Sequence, residues 1–144
     1  MGLGRKCFGD RQQPANKPEK MAMIMKVKIK SGSYTWDAEI DDTATGRLIC
    51  QALPIKGRAS RWGGEIYFPI PVDADLEPEA REEVAGGDLG YWPTGRAFCI
   101  FFGRTPVSRG DEIRAASAVN IFGRVESNLD SLHQVADGAD IVIE

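Results

Sequence analysis

The sequence predicts a mainly β domain, a barrel of five to eight strands with one or two short helices. Three observations carry that expectation. Segments at 23–30, 34–40, 61–70 and 113–125 alternate apolar and polar residues, the period-2 mark of half-buried strands. The run from Gly95 to Gly103 is apolar at both odd and even positions. Helical segments are too few to cover both faces of a parallel sheet, whereas a barrel strand can fill the core with one face and floor a covered or ligand-receiving groove with the other.

At 144 residues the chain suits one domain, and a domain of that size buries roughly 70% of the surface its unfolded chain exposes. Residues 1–20 mix Gly, Pro, Gln, Asn and Lys with little apolar content, too little to offset their ordering entropy, so they are expected to be a disordered tail before a domain over 21–144.

Met25, Val27 and Ile29 face one way and Lys26, Lys28 and Lys30 the other. After the Ser31–Ser33 turn, Tyr34, Trp36, Ala38 and Ile40 are read as inward, with Thr35, Asp37 and Glu39 outward. Lysines on one outer face opposite carboxylates on the next predict a paired hairpin. Asp42 or Thr43 can cap a helix that carries Ala44, Leu48, Ile49, Ala52 and Leu53 and stops at Pro54. Gly46 inside it costs about 1 kcal/mol of propensity, so the helix must be held by packing at one end of the barrel.

Residues 61–70 read as one strand, with Trp62, Ile66, Phe68 and Ile70 towards the core and Arg61, Glu65 and Tyr67 on the outer face. An acidic stretch follows from Asp73 to Glu83, and Pro78 within it and Gly86 just past Ala85 frame one or two helical turns. Tyr91, Trp92 and Pro93 end an irregular approach to the 95–103 strand, which turns Phe98, Ile100 and Phe102 to one side and Ala97, Cys99 and Phe101 to the other. Along 113–125, Ile113, Ala115, Val119 and Ile121 are read as inward and Asn120 and Phe122 as outward. A short turn or helix at 128–134 and a strand at 139–143 close the chain.

Several chemistries are excluded at this level. A net charge of −3 gives no attraction to nucleic acid or anionic lipid. No apolar run nears the ~20 residues of a membrane span, and no leader pattern opens the chain, so a cytoplasmic protein is expected. Cys7, Cys50 and Cys99 lack the paired spacing of a zinc site, and His133, the sole histidine, has no nucleophile beside it in sequence. No metal and no cofactor are expected.

The runs RWGGEIYFPIPV, GDLGYWPTGRAFCIFFGRTP and EIRAASAVNIFGRV resemble the cyclophilin-like domain family of small, uncharacterised bacterial and archaeal proteins. The resemblance covers about residues 23–144, and GDLGYWP and FCIFFGRTP are its most specific parts. It implies a closed, eight-stranded barrel with helices at its ends, the architecture of the cyclophilin peptidyl-prolyl isomerases. Isomerisation would need an arginine near the prolyl nitrogen and an aromatic pocket for the ring, to lower a barrier of ~18–20 kcal/mol. Cyclophilins place that arginine in an FHR-type motif, which this chain does not contain.

The residues read as outward define the candidate groove: Arg61, Glu65 and Tyr67 on one strand, Tyr91 and Phe101 on the central stretch, Asn120 and Phe122 on a third. The leading functional expectation is binding of a small molecule or extended peptide there without catalysis. Prolyl isomerisation is the first alternative, and a homo-oligomeric contact, a homodimer through Phe122, is the second.

Overall fold

A computed structural model describes residues 24–144. The tail expected at 1–20, and the start of the domain at 21–23, lie outside these described residues. The fold is mainly β. In chain order the strands are β1 (Ile24–Ser31), β2 (Tyr34–Asp41), β3 (Ile55–Arg58), β4 (Ser60–Arg61), β5 (Glu65–Pro69), β6 (Arg81–Val84), β7 (Asp88–Trp92), β8 (Ala97–Phe101), β9 (Ile113–Val125) and β10 (Asp140–Ile143). A helix, α1 (Ala44–Ala52), follows β2, and a 3-10 helix (Leu129–Gln134) precedes β10.

The β1–β2 hairpin forms as its charge pattern requires. Lys26 lies opposite Glu39 and Lys28 opposite Asp37, with ammonium–carboxylate distances of 2.9 and 2.5 Å. Such exposed pairs contribute little stability but fix register. Tyr34 departs from its expected inward position: it is 40% exposed and stacks on Trp36 at 5.7 Å. The Thr43 hydroxyl caps α1 by accepting from the Gly46 N–H at 2.9 Å. Gly46 also has a steric reason, because a Cβ there would lie 2.1 Å from the Asp41 carbonyl. Ile49 and Cys50 of α1 are buried in the core, while Leu48 stays 40% exposed.

Hydrogen-bonded neighbours follow the order β3-β10-β1-β2-β9-β7-β8-β5-β4, all antiparallel, with β6 paired to β9 off this path. No ladder joins β3 to β4 among the described residues, so hydrogen bonds do not close the ring that the resemblance implies. Inner faces nevertheless meet in one core containing Ile29, Trp36, Ile40, Ile55, Phe68, Leu89, Phe98, Phe122 and Ile141. Gly57 of β3 abuts the Phe68 ring of β5 so closely that a Cβ would lie 2.9 Å from it. The Phe68 ring of β5 therefore packs directly against the β3 backbone.

Three local expectations are corrected. Residues 81–84, read as helix, form β6, because Arg81, Glu83 and Val84 find partners on β9 at Val119, Arg114 and Ile113. Residues 88–92, read as an irregular approach, form β7 between β8 and β9. Residues 61–70 are not one strand: a turn at Gly63–Gly64 divides them into β4 and β5.

The outer face of β8 is covered. Ala97, Cys99 and Phe101 pack with Ala115 and Val119 of β9 in a second apolar cluster, edged by Tyr67, Val84, Trp92, Ile113 and Ile121. The C-terminal part of β9 pairs with β2 and β7 in the sheet, while its N-terminal part pairs with β6 and lies over β8. Gly90 on β7 allows the approach, since a Cβ there would meet Val119 at 3.0 Å and Phe101 at 3.1 Å.

Candidate functional site

The turn Trp62-Gly63-Gly64-Glu65 builds one wall of the site. Gly63 has φ +61, the left-handed value wanted at the first central position of a tight hairpin turn. Gly64 lies flat against the end of β8, and a Cβ on it would be 2.3 Å from the Gly103 carbonyl carbon. The Gly64 N–H donates to the Arg104 carbonyl at 2.7 Å, and the Phe102 N–H donates to the Gly64 carbonyl at 2.8 Å. Across the turn, the Trp62 N–H donates to the Glu65 carbonyl at 2.9 Å and the Glu65 N–H to the Trp62 carbonyl at 3.2 Å. Residues paired in this way project to the same face, so Trp62 joins Glu65 outside rather than entering the core.

The other walls come from β5, β7 and β9. Glu65 and Tyr67 lie opposite Phe101 and Cys99 of β8. Trp92 ends β7 opposite Ala97, and its indole N–H donates to the Ser117 hydroxyl at 2.7 Å. Gly95 leaves room for that ring, because a Cβ would lie 2.6 Å from its Cε3. Ser117 owes its position to a bulge: between the pairs Glu83–Arg114 and Arg81–Val119, the ladder advances two residues on β6 and five on β9. The same bulge carries Ala116 to the rim.

These elements enclose a cavity of about 250 Å³ lined by Trp62, Glu65, Tyr67, Trp92 and Ala116. The three rings are half-buried and Ala116 is exposed, whereas Glu65 is only 6% exposed. Among the described residues no ion pair reaches Glu65. Burial pushes its carboxyl up to about 7, partly offset by a hydrogen bond from the Cys99 thiol. Burial, together with the neighbouring Glu65, pushes the Cys99 thiol well above its ordinary range. A thiol held protonated is a weak nucleophile, so Cys99 serves as a hydrogen-bond donor and packing group. A wider depression of about 440 Å³ between the 31–34 turn and residues 134–140 has the exposed Asp140 as its one carboxylate and no lining lysine, arginine or histidine.

Of the seven groove residues read from the sequence, Glu65 and Tyr67 line this cavity. The other five lie elsewhere. Arg61 sits opposite Ile66, on the other face from Glu65, because the two-residue turn reverses the odd–even count. Its guanidinium donates to the carbonyls of Val135 at 2.8 Å, Gly63 at 3.0 Å and His133 at 3.2 Å and lies over the Phe102 ring. Tyr91 is buried in the core, its hydroxyl donating to the Val72 carbonyl at 2.7 Å. Phe101 is sealed beneath β9 in the second cluster.

Asn120 and Phe122 point inward, not outward. A bulge on β9, where Leu89 pairs with Gly123 but Gly90 with Ile121, shifts the alternation by one residue. Phe122 enters the core edge-on to Phe98 at 5.1 Å. Asn120 fastens the acidic loop to α1: its amide donates to the Asp75 carbonyl at 2.8 Å and the Thr45 hydroxyl at 3.0 Å, and its oxygen accepts from the Glu77 N–H at 2.8 Å. The set Ile113, Ala115, Val119 and Ile121, read as inward, belongs to the outer cluster instead.

Sequence reasoning missed Trp62, Trp92 and Ala116 as lining residues. The signal for Trp62 was present in WGGE, a Gly-Gly pair between alternating segments that marks a two-residue hairpin and sets its flanking residues face to face. Nothing local signals Ala116, whose place depends on a bulge in a long-range pairing.

No curated protein matches the chain. The solution structure of a hypothetical protein from Archaeoglobus fulgidus is similar, with a TM-score of 0.74 and 40% sequence identity over 88% of this chain and 98% of that one. The sequence profile of the family described as cyclophilin-like matches residues 25–144. With that match across nearly all of the described residues, on a curled antiparallel sheet of the same fold as the archaeal protein, the chain belongs to the cyclophilin-like family.

Proposed function

We propose that this cyclophilin-like domain binds a small molecule, without catalysis, in the cavity formed by Trp62, Glu65, Tyr67, Trp92 and Ala116, and that it does so in the cytoplasm. One observation carries the reading: Glu65, a residue only 6% exposed and with no ion-pair partner among the described residues, forms the polar point of an aromatic-walled cavity. Burying such a group is unfavourable unless it is paired, and carboxyls with raised pKa values in clefts cluster at functional sites. A few convergent polar groups among aromatic walls are what a ligand cleft requires. The volume, about 250 Å³, falls just below the ~300–1,000 Å³ range of such clefts, which favours a small molecule or headgroup over an extended peptide. We read the frame as a barrel, a reading supported by the packing of the Phe68 ring of β5 against Gly57 of β3 near the unpaired ends of the sheet.

Prolyl isomerisation gains no support from the cavity. No arginine lines it, and the Arg61 guanidinium is engaged by three backbone carbonyls.

The test is a fragment screen read by the indole N–H resonances of the three tryptophans. Ligands of the cavity shift Trp62 and Trp92 and leave Trp36 unmoved, because its indole is buried and donates to Ser131. Trp92→Ala weakens each such ligand at least about ten-fold, as loss of an aromatic wall implies. Hits that move neither Trp62 nor Trp92, or that bind Trp92→Ala equally well, would overturn the proposal.

A further inference from the structure

Resting on the cavity reading above, the geometry points to an organic ammonium cation as the ligand, its charged head held against Glu65 and faced by the rings of Trp62, Tyr67 and Trp92. Indole and phenol rings carry negative π faces, and a cation within about 6 Å of a ring centroid is attracted to them, most strongly when desolvated. Three such rings and one carboxyl line a single small cavity. No lysine or arginine is among the lining residues, so nothing there repels a cation and nothing already neutralises the acid.

The contrast with the other buried carboxylate is informative. Asp88 is 2% exposed, accepts from the Ala85 N–H at 2.9 Å and lies 3.6 Å from the Arg124 guanidinium. Glu65 is comparably buried and has neither a backbone donor nor an internal cation among the described residues. Its one side-chain partner is the Cys99 thiol, a weak donor. A bound ammonium supplies the charge that Arg124 supplies to Asp88. An anionic ligand would instead meet the Glu65 carboxylate with no lysine or arginine among the lining residues to balance it.

Binding is linked to a proton. The titratable groups facing Glu65 are Tyr67 on its own strand and Cys99 on β8, while the turn, β7 and β9 present Trp62, Trp92 and Ala116, none of which ionises. The cation therefore stabilises the ionised form of Glu65, and below about pH 7 each cation bound displaces one proton from that carboxyl to solvent.

The experiment titrates the wild-type protein, followed by the Trp62 and Trp92 indole resonances, with choline and with its uncharged carbon isostere 3,3-dimethylbutan-1-ol. At pH 8 choline binds at least about ten-fold tighter, as a desolvated cation–π contact with a counter-charge implies. Its affinity falls about ten-fold from pH 8 to pH 6, as expected when only the ionised carboxyl binds. Glu65→Gln, nearly isosteric, weakens choline at pH 8 at least about ten-fold and abolishes the pH dependence, leaving only the preference that the rings supply. A parallel titration with a short peptide containing trimethyl-lysine identifies the source: tighter binding than choline supports the cation as a side chain of a partner, and weaker binding supports a free ammonium compound. Equal binding of choline and the alcohol at pH 8 would overturn the ammonium inference while leaving the cavity as a small-molecule site. Absence of any saturable choline shift would also overturn it, and the fragment screen then decides the cavity reading by itself.

Discussion

Glu65 gives the residue scale its sharpest consequence. In the unfolded chain this carboxyl ionises near 4.5, and in the fold near 7, so between those values the folded state holds the proton that the unfolded state has lost. Folding stability from this group therefore falls as pH rises through that interval and levels off above it, by roughly 2–3 kcal/mol between pH 5 and pH 8. Urea denaturation at the two pH values measures the difference, and Glu65→Gln is expected to remove it. An unchanged pH dependence in that variant would mean that the carboxyl is solvated in the folded protein. Glu112 acts in the opposite sense and in another window: N–H donors of Arg109 and Gly110 hold it near 2, so its contribution is lost only as pH falls below the ordinary carboxylate range. Arg61 shows how far a side chain can depart from its sequence-level reading. It was expected beside Glu65, and one two-residue turn sends it to the opposite face, where it ties the 3-10 helix to the β4–β5 hairpin.

At the scale of elements, the site depends on two interruptions of regular pairing. The Gly63–Gly64 turn pairs Trp62 with Glu65, and the bulge in β9 brings Ser117 to the Trp92 indole and Ala116 to the rim. Gly64→Ala is expected to lose about 1–3 kcal/mol, because its methyl group meets the Gly103 backbone and the turn must move away from β8. The Trp62 indole resonance should shift with it while Trp36 stays in place. A variant with wild-type stability and an unmoved Trp62 would show that the turn is not clamped against residues 102–104. Alternation along single strands was legible for β1, β8 and β2 beyond its first residue, Tyr34, since each keeps one face inward there. It failed for 61–70 and for β9, where an inserted turn and a bulge shift the count by one, and every residue beyond the shift changes face.

Across the whole molecule, one sheet curls around a core while the long β9 crosses from that sheet to cover the outer face of β8. Phe122 belongs to that core and is fully buried. Phe122→Ala is therefore expected to cost about 3–5 kcal/mol in urea denaturation and to leave the elution volume on size exclusion unchanged. A drop in apparent mass at unaltered stability would instead make Phe122 an interface residue. The homodimer reading had rested on an exposed Phe122, and burial takes that anchor away.

By itself the sequence determined the mainly β character, the β1–β2 hairpin with its charge pairing, the capped helix and the presence of Glu65 and Tyr67 on an outer face. These follow from local periodicity, capping and turn chemistry, which act over a few residues and leave their mark in composition. Only the tertiary structure decided that Phe101 is covered, that Phe122 and Asn120 turn inward, and that Trp62, Trp92 and Ala116 meet around Glu65. Those outcomes depend on strand register and on bulges between segments distant in the chain. A one-residue shift there is silent in hydropathy yet reverses which face every following side chain occupies.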